Sequence, residues 1–274
     1  MIIGAAADAE AELGIELDAE TERVEDADMF RKLRVACGER PRESSDGASC
    51  ARAGGRDAYA LRMWPPEALE FLRELEANND RDWFKANRSR YDAHLVEPAR
   101  ELAGRLAHLG DAHMFRPYND TRFHMRPPIK EQLGVAIGYG GAGGYYFELS
   151  LDGLLVAAGL HHPASDQLER FRRTIDDGRR AAAFERAVKS AAAAGMELAP
   201  PALKRAPRGF PIDHPRIDRL RLRELAAYRR HPLEPWLHQP ACDELVRAEL
   251  ESARPLVAWL HKHVGPPSHS RSDP

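Results

Sequence analysis

The run Tyr145–His161 constrains the fold more than any other stretch of this chain. Apolar side chains alternate with small or polar ones on both sides of Asp152-Gly153, the pattern of two half-buried strands joined by a tight hairpin. A two-residue turn at Asp152-Gly153 predicts the pairs Leu151–Leu154, Leu149–Val156, Phe147–Ala158 and Tyr145–Leu160, all apolar. The opposite face then pairs Ser150 with Leu155, Glu148 with Ala157, Tyr146 with Gly159 and Gly144 with His161. A slip of one residue would move the whole apolar set into water, which fixes which residues share a face. Upstream, Leu133, Val135, Ile137 and Tyr139 alternate with Gly134, Ala136 and Gly138 and predict a third strand.

Helical periodicity flanks this sheet. Pro65-Pro66 followed by Leu69, Phe71, Leu72 and Leu75 predicts a first helix ending at Asn78-Asn79. Asp80 is placed to cap a second, carrying Trp83, Phe84, Asn87 and Tyr91, and Pro98 to start a third that ends at Gly110. After the hairpin, Ser165 or Asp166 caps a helix with Leu168, Phe171 and Ile175, and another runs from Arg180 to Ala194. Leu222–His231 fits helix or strand. Cys242–Val264 is a long helix interrupted near Pro255. Helices, then a mainly antiparallel sheet, then helices define an α+β fold in a single domain.

The 274 residues have a charge that is unevenly placed. Residues 1–62 carry 9 Lys+Arg against 14 Asp+Glu, leaving 31 against 29 for the rest. The first 62 residues are rich in Ala, acids, Arg, Gly and Ser and have no sustained period. That composition buries too little apolar surface to offset ordering entropy, so residues 1–62 are expected to be a disordered or spurious extension. Residues 63–265 form the domain, and residues 266–274 are expected to be a disordered tail. A body this close to neutral disfavours general nucleic-acid binding. Cys37, Cys50 and Cys242 are odd in number and widely spaced, which points away from a disulfide framework and towards a reducing cytoplasm. No apolar run approaches the ~20 residues of a membrane span.

Chemistry concentrates at residues 115–130. Arg116, Arg122, Arg126 and Lys130 surround Asp120 on a short Pro-stiffened segment, and forked guanidinium donors suit carboxylates and phosphates. In an extended segment Asp120, Arg122 and His124 share one face, with Asp120 ionised beside its arginines. Tyr146 and Glu148 share a small-residue sheet face with His161, a residue type able to act as general base. Lys204 and Arg208, with Arg205 between them, form a second basic cluster. The ligand-binding set expected is therefore Arg116, Asp120, Arg122, Arg126, Lys130, Tyr146, Glu148, Lys204 and Arg208, with His161 and Asp120 as candidate catalytic groups. A small anionic ligand is the expected partner. The alternatives are a nucleic-acid or protein interaction strip and a purely structural ion cluster. No compact metal-ligand spacing occurs, no cofactor is implied, and oligomeric state is not encoded in any visible pattern. Gly138-x-Gly140-x-x-Gly143 has dinucleotide-fingerprint spacing, but a strand follows where a helix is needed, so a hairpin loop that can cover a site is expected.

Several motifs resemble one bacterial family in order. They are Phe71-Leu72-x-x-Leu75-x-x-Asn78-Asn79-x-Arg81-x-Trp83-Phe84-x-x-Asn87-x-x-x-Tyr91, then Arg116-x-x-x-Asp120-x-Arg122-Phe123, then Gly144-Tyr145-Tyr146. Gly153-Leu154-x-Val156-x-x-Gly159, Leu203-Lys204-Arg205-x-Pro207-Arg208-Gly209-Phe210 and His214-Pro215 continue the match. Together they resemble the domain of unknown function 2461 across residues 65–265. The resemblance implies one α+β domain and makes residues 1–62 an addition; the family brings no established activity or cofactor. Two departures stand out. Asn119 occupies the place where the family pattern has Arg, and His124–Lys130 is shorter and lacks the family's acid and Tyr, with Arg126 as a substitute cation.

Overall fold

The structure, a computed structural model, describes residues 64–119 and 127–268. Asp120, Arg122, His124 and Arg126 lie outside the described residues, as does the extension before Trp64. The described chain falls into two units: residues 64–117 with 131–268, and the short pieces 118–119 and 127–130. In the smaller unit Tyr118 and Ile129 form an antiparallel bridge. Asn119 donates its amide N–H to the carbonyl of Pro128 at 2.9 Å and its Nδ2 to that of Pro127 at 2.8 Å.

The larger unit begins with helices. α1 (Pro66–Ala77) starts on the proline expected of a first turn and buries Leu69, Phe71, Leu72 and Leu75. α2 (Arg81–Ala86) is capped by Asp80, whose carboxylate accepts from Asp82 N at 2.9 Å and Trp83 N at 2.8 Å. α3 (Arg88–Tyr91) and α4 (Glu97–Arg105) follow, and here the expected start at Pro98 is corrected. Helix already runs into Pro98 through a π-helical turn, Asp92–Val96, with Glu97 N–H donating to Asp92 O. The widened turn absorbs the hydrogen bond that a proline cannot make. Phe71, Phe84 and Tyr91 pack as a ring cluster, with Tyr91 5.1 Å from Phe84 and 5.7 Å from Phe71; burial pushes the Tyr91 phenol up.

Six antiparallel strands follow among the described residues: β1 (Ala112–Met114), β2 (Gln132–Ile137), β3 (Gly144–Ser150), β4 (Gly153–Leu160), β5 (Glu197–Leu198) and β6 (Leu225–His231). Their order is β1-β2-β3-β4-β6-β5, so the ambiguous segment 222–231 is an inner strand. The hairpin is built two residues away from the expected register. Ser150 pairs with Gly153, Leu149 with Leu154, Phe147 with Val156 and Tyr146 with Ala157. The turn opens early because Ser150 Oγ accepts from Asp152 N at 3.3 Å. Gly153, at φ +127°, then enters β4 where a Cβ would lie 2.1 Å from His231 O. A shift of two leaves every side chain on its expected face.

The face of Leu133, Val135, Ile137, Phe147, Leu149, Leu154, Val156, Leu160, Leu225 and Ala227 is buried. Helices α8 (Ala241–Ser252) and α9 (Arg254–His263) cross it at β4. Between strands and α8 come α5 (Ser165–Asp176), α6 (Gly178–Ala193) and the short α7 (Ile217–Leu220). Trp259 of α9 seats against Phe184 at 4.9 Å and Phe171 at 6.0 Å, joining three helices. Ser165 and Asp166 do not cap α5: the N-cap is Ala164, whose N–H is taken by Gln167 Oε1 at 2.9 Å.

Two further expectations are revised around the C-terminal end. The Gly-rich loop is pinned, since Gln167 Nε2 donates to Gly141 O at 2.6 Å and His261 Nε2 lies 3.0 Å from Gly143 O. The strand expected after the glycines is β3, which follows them directly and leaves no helix N-terminus for a pyrophosphate. The chain through Ser268 is held by Arg170, which donates to Pro266 O at 2.5 Å, and by Asp166, which accepts from Ser268 N at 2.7 Å. The tail expected from residue 266 is thus anchored over its first three residues.

Cys242 is fully enclosed at the start of α8, and burial, reinforced by Asp243, pushes its thiol up to about 12. Thiolate is the reactive form, so a Cys37→Ser/Cys50→Ser variant is expected to resist iodoacetamide at neutral pH and to react once urea is added. Rapid alkylation of the native variant, read by mass spectrometry, would contradict this.

Candidate functional site

The face of the sheet opposite the helices carries the polar residues. Register sets them in rows. Gly134, Glu148, Leu155 and Arg230 form one row across β2, β3, β4 and β6; Ala136, Tyr146, Ala157 and Tyr228 form the next. Gly144, Gly159 and Ala226 follow, and beyond the ladder His161 and Glu224 stand opposite each other. The strand period of two, which hides the apolar face, necessarily brings these residues to the other one.

Glu148 is 1% exposed, so its charge needs partners. Tyr146 donates its hydroxyl to Glu148 Oε2 at 2.9 Å. The phenol reaches over Gly134, where a Cβ would lie 2.1 Å from the Tyr146 oxygen; glycine is required there for the close approach. Phe115 packs on Tyr146 with ring centres 6.1 Å apart. Arg230, in the same row as Glu148, places Nη2 4.0 Å from Glu148 Oε1. Its side chain is 13% exposed, and Nη1 is buried with no hydrogen-bond partner among the described residues. One arm of the guanidinium therefore approaches a carboxylate loosely while the other retains full donor capacity.

Of the residues singled out from sequence, Tyr146 and Glu148 are brought into direct contact. His161 shares their face, but six residues along β4 from the Glu148–Arg230 row, about 20 Å at strand spacing. Its Nδ1 is 2.5 Å from Glu224 Oε1, an arrangement that fixes the ring, and its ring packs edge-on against His162. Arg116, Lys204 and Arg208 are exposed, and Lys130 belongs to the smaller unit. Sequence reasoning missed Arg230 and Glu224. Both were within reach of strand periodicity once Leu225–His231 was taken as a strand, since Glu224, Tyr228 and Arg230 then share the face of Tyr146.

The helix-covered face holds its own ionic cluster. His231 Nε2 is 3.0 Å from each oxygen of the buried Glu249, and Arg229 Nη1 lies 3.1 Å from Oε1. Among the described residues no group of three or more His, Cys, Asp or Glu side chains is disposed to hold a metal ion. No described helix is long and apolar enough to cross a membrane.

Fold and site define a class: an α+β protein on an open antiparallel sheet, sealed by helices on one face and carrying on the other a Tyr–Glu–Arg group built around the buried Glu148. More particularly, residues 67–259 match the model of the family described as conserved hypothetical protein, domain of unknown function 2461, and the chain belongs to that family. No curated protein and no solved structure matches it.

Proposed function

We propose that the protein is a cytoplasmic binder of a small anionic ligand, a carboxylate or phosphate monoester, held on the polar sheet face by Arg230. The observation that carries this reading is the buried Nη1 donor of Arg230 without a partner. An unfilled donor in a desolvated place costs free energy that an anion's oxygen recovers. Tyr146 and Glu148 supply the second requirement, orientation. Glu148 keeps Arg230 from folding onto another acceptor, and the Tyr146 hydroxyl, already donating to Glu148, can accept from a ligand hydroxyl or amine. The exposed cations Arg116, Lys204 and Arg208, expected from sequence, supply long-range attraction for the same charge sign. The near-neutral body charge argues for a small ligand over nucleic acid.

A thermal-shift panel of small carboxylates and phosphate monoesters tests this. At least one ligand is expected to raise the melting temperature of wild type and to lose its effect in Arg230→Gln, with circular dichroism showing the variant folded. A response of equal size in wild type and the folded variant would remove Arg230 from binding. An unfolded variant, with Arg230→Lys restoring fold and giving no ligand response, would assign the Tyr–Glu–Arg group to structure instead.

A further inference from the structure

Several described arginines are paired with a carboxylate: Arg90 with Glu74, Arg170 with Asp166, Arg219 with Glu185 and Arg105 with Asp243. The C-terminal end of α7 is different. There Ala202 N and Leu203 N both donate to Arg221 O at 3.1 Å, which ties the start of the Pro-rich connection to the end of the helix. Lys204 and Arg205 therefore leave the chain beside Arg221. Arg172 reaches the same turn from α5 and donates Nε to Leu220 O at 3.1 Å. Arg223 follows two residues on. Five cations thus stand on three segments whose backbones meet at this turn, and none has a carboxylate within ion-pair distance among the described residues.

The neighbouring acids are already engaged or turned to other groups. Glu224 is bonded to His161, and Asp218 acts on Arg219, which is itself held by Glu185 through two hydrogen bonds. The cations also act on one another. Arg172 has its pKa lowered by burial and then by the charge of Arg223. Arg221 Nε is buried without a hydrogen-bond partner. Lys204, Arg205 and Arg223 are exposed, so the group is open to solvent on one side. Like charges brought together with unfilled donors raise the free energy of the empty surface and lower it on anion binding.

We propose that Arg172, Arg221, Arg223, Lys204 and Arg205 form a binding surface for a compact polyphosphate, a ligand carrying two or more linked phosphate groups. Guanidinium forks match phosphate oxygens in pairs, and five positive side chains exceed what one phosphate can neutralise. The neighbouring acids Glu224 and Asp218 face other groups and the body as a whole is near neutral, which favours a short ligand over a nucleic-acid strand that must follow a long basic track.

Isothermal titration of the full chain with sodium tripolyphosphate tests the assignment. Saturable binding is expected, with orthophosphate about tenfold or more weaker. Arg223→Gln, exposed and without a bond to lose, is expected to weaken tripolyphosphate about fivefold at unchanged melting temperature. Lys204→Gln/Arg205→Gln is expected to do the same, while Arg100→Gln on α4 leaves binding intact. Arg172→Gln should weaken binding further and also cost stability through its bond to Leu220. Equal affinity in Arg223→Gln and wild type, or no saturable heat, would overturn the proposal. Tighter binding of a single-stranded RNA of about 12 nucleotides than of tripolyphosphate, with steep salt dependence, would also overturn it by transferring the surface to nucleic acid.

Discussion

Gly159→Ala is expected to lower the free energy of unfolding by about 3–5 kcal/mol, combining backbone strain with an overpacked contact that cannot relax. Gly159 sits inside β4 at φ +128°, a conformation that alanine adopts only with strain. A Cβ there would lie 2.4 Å from Leu225 O and 2.6 Å from Ala226 Cα. Both obstacles are backbone atoms of β6, so no side-chain rotation relieves the clash; the β4–β6 ladder must open. That ladder fixes the row Leu155–Arg230 and, through it, the distance from Arg230 to Glu148. Loss of stability should therefore come with loss of any ligand response that depends on Arg230. Gly104→Ala gives the contrast. It lies in α4 with nothing within 4 Å of the added carbon, and should stabilise by about 0.5–1 kcal/mol. Urea denaturation of both variants decides the matter. A Gly159→Ala loss below about 1 kcal/mol would mean that the strand accommodates a side chain and that the ladder is softer than argued.

The two positions also mark what could be read from sequence. Periodicity carried the sheet: the apolar members of Tyr145–His161 lie on one face as expected, because an error of one residue would have exposed them all. It did not carry the turn. Ser150 opens the hairpin with its own hydroxyl, a local side-chain bond that competes with the Asp-Gly preference and leaves the face pattern unchanged. Pro98 was similarly misjudged. Proline usually marks a first turn, but a preceding π-turn removes the bond it cannot make, and only the backbone geometry reveals that. Of the candidate site, Tyr146 and Glu148 were legible because they belong to the trusted strand. Arg230 was not, because Leu222–His231 contains Ala, Tyr and Arg in an order that fits either period. Its partner Glu148 lies 82 positions away, and long-range pairing leaves no local trace.

Glu249→Ala should cost about 3 kcal/mol, the low end for removing one partner of a buried ionic group, because Arg229 can turn to water. Glu249 is 2% exposed on α8 and meets β6 through His231, itself 5% exposed, and Arg229. Truncation leaves the His231 ring facing a void beside Trp236, whose ring centre is 5.4 Å away. Arg229 is less compromised: its side chain is 44% exposed, and Nη1 keeps a 3.0 Å bond to Ala194 O at the C-terminal end of α6. A cation there also complements the helix dipole. Gly195, against which the guanidinium lies, makes the approach possible, since a Cβ would come within 2.6 Å of Nη1. Glu249→Gln retains one acceptor for His231 and nearly all the volume, so its loss should be smaller. His231→Ala combined with Glu249→Ala should cost less than the sum of the two single changes, by at least about 1 kcal/mol, if they act as one unit. Additive losses in urea denaturation would instead mean that the carboxylate is held mainly by Arg229, and that His231 joins β6 to α8 by packing alone.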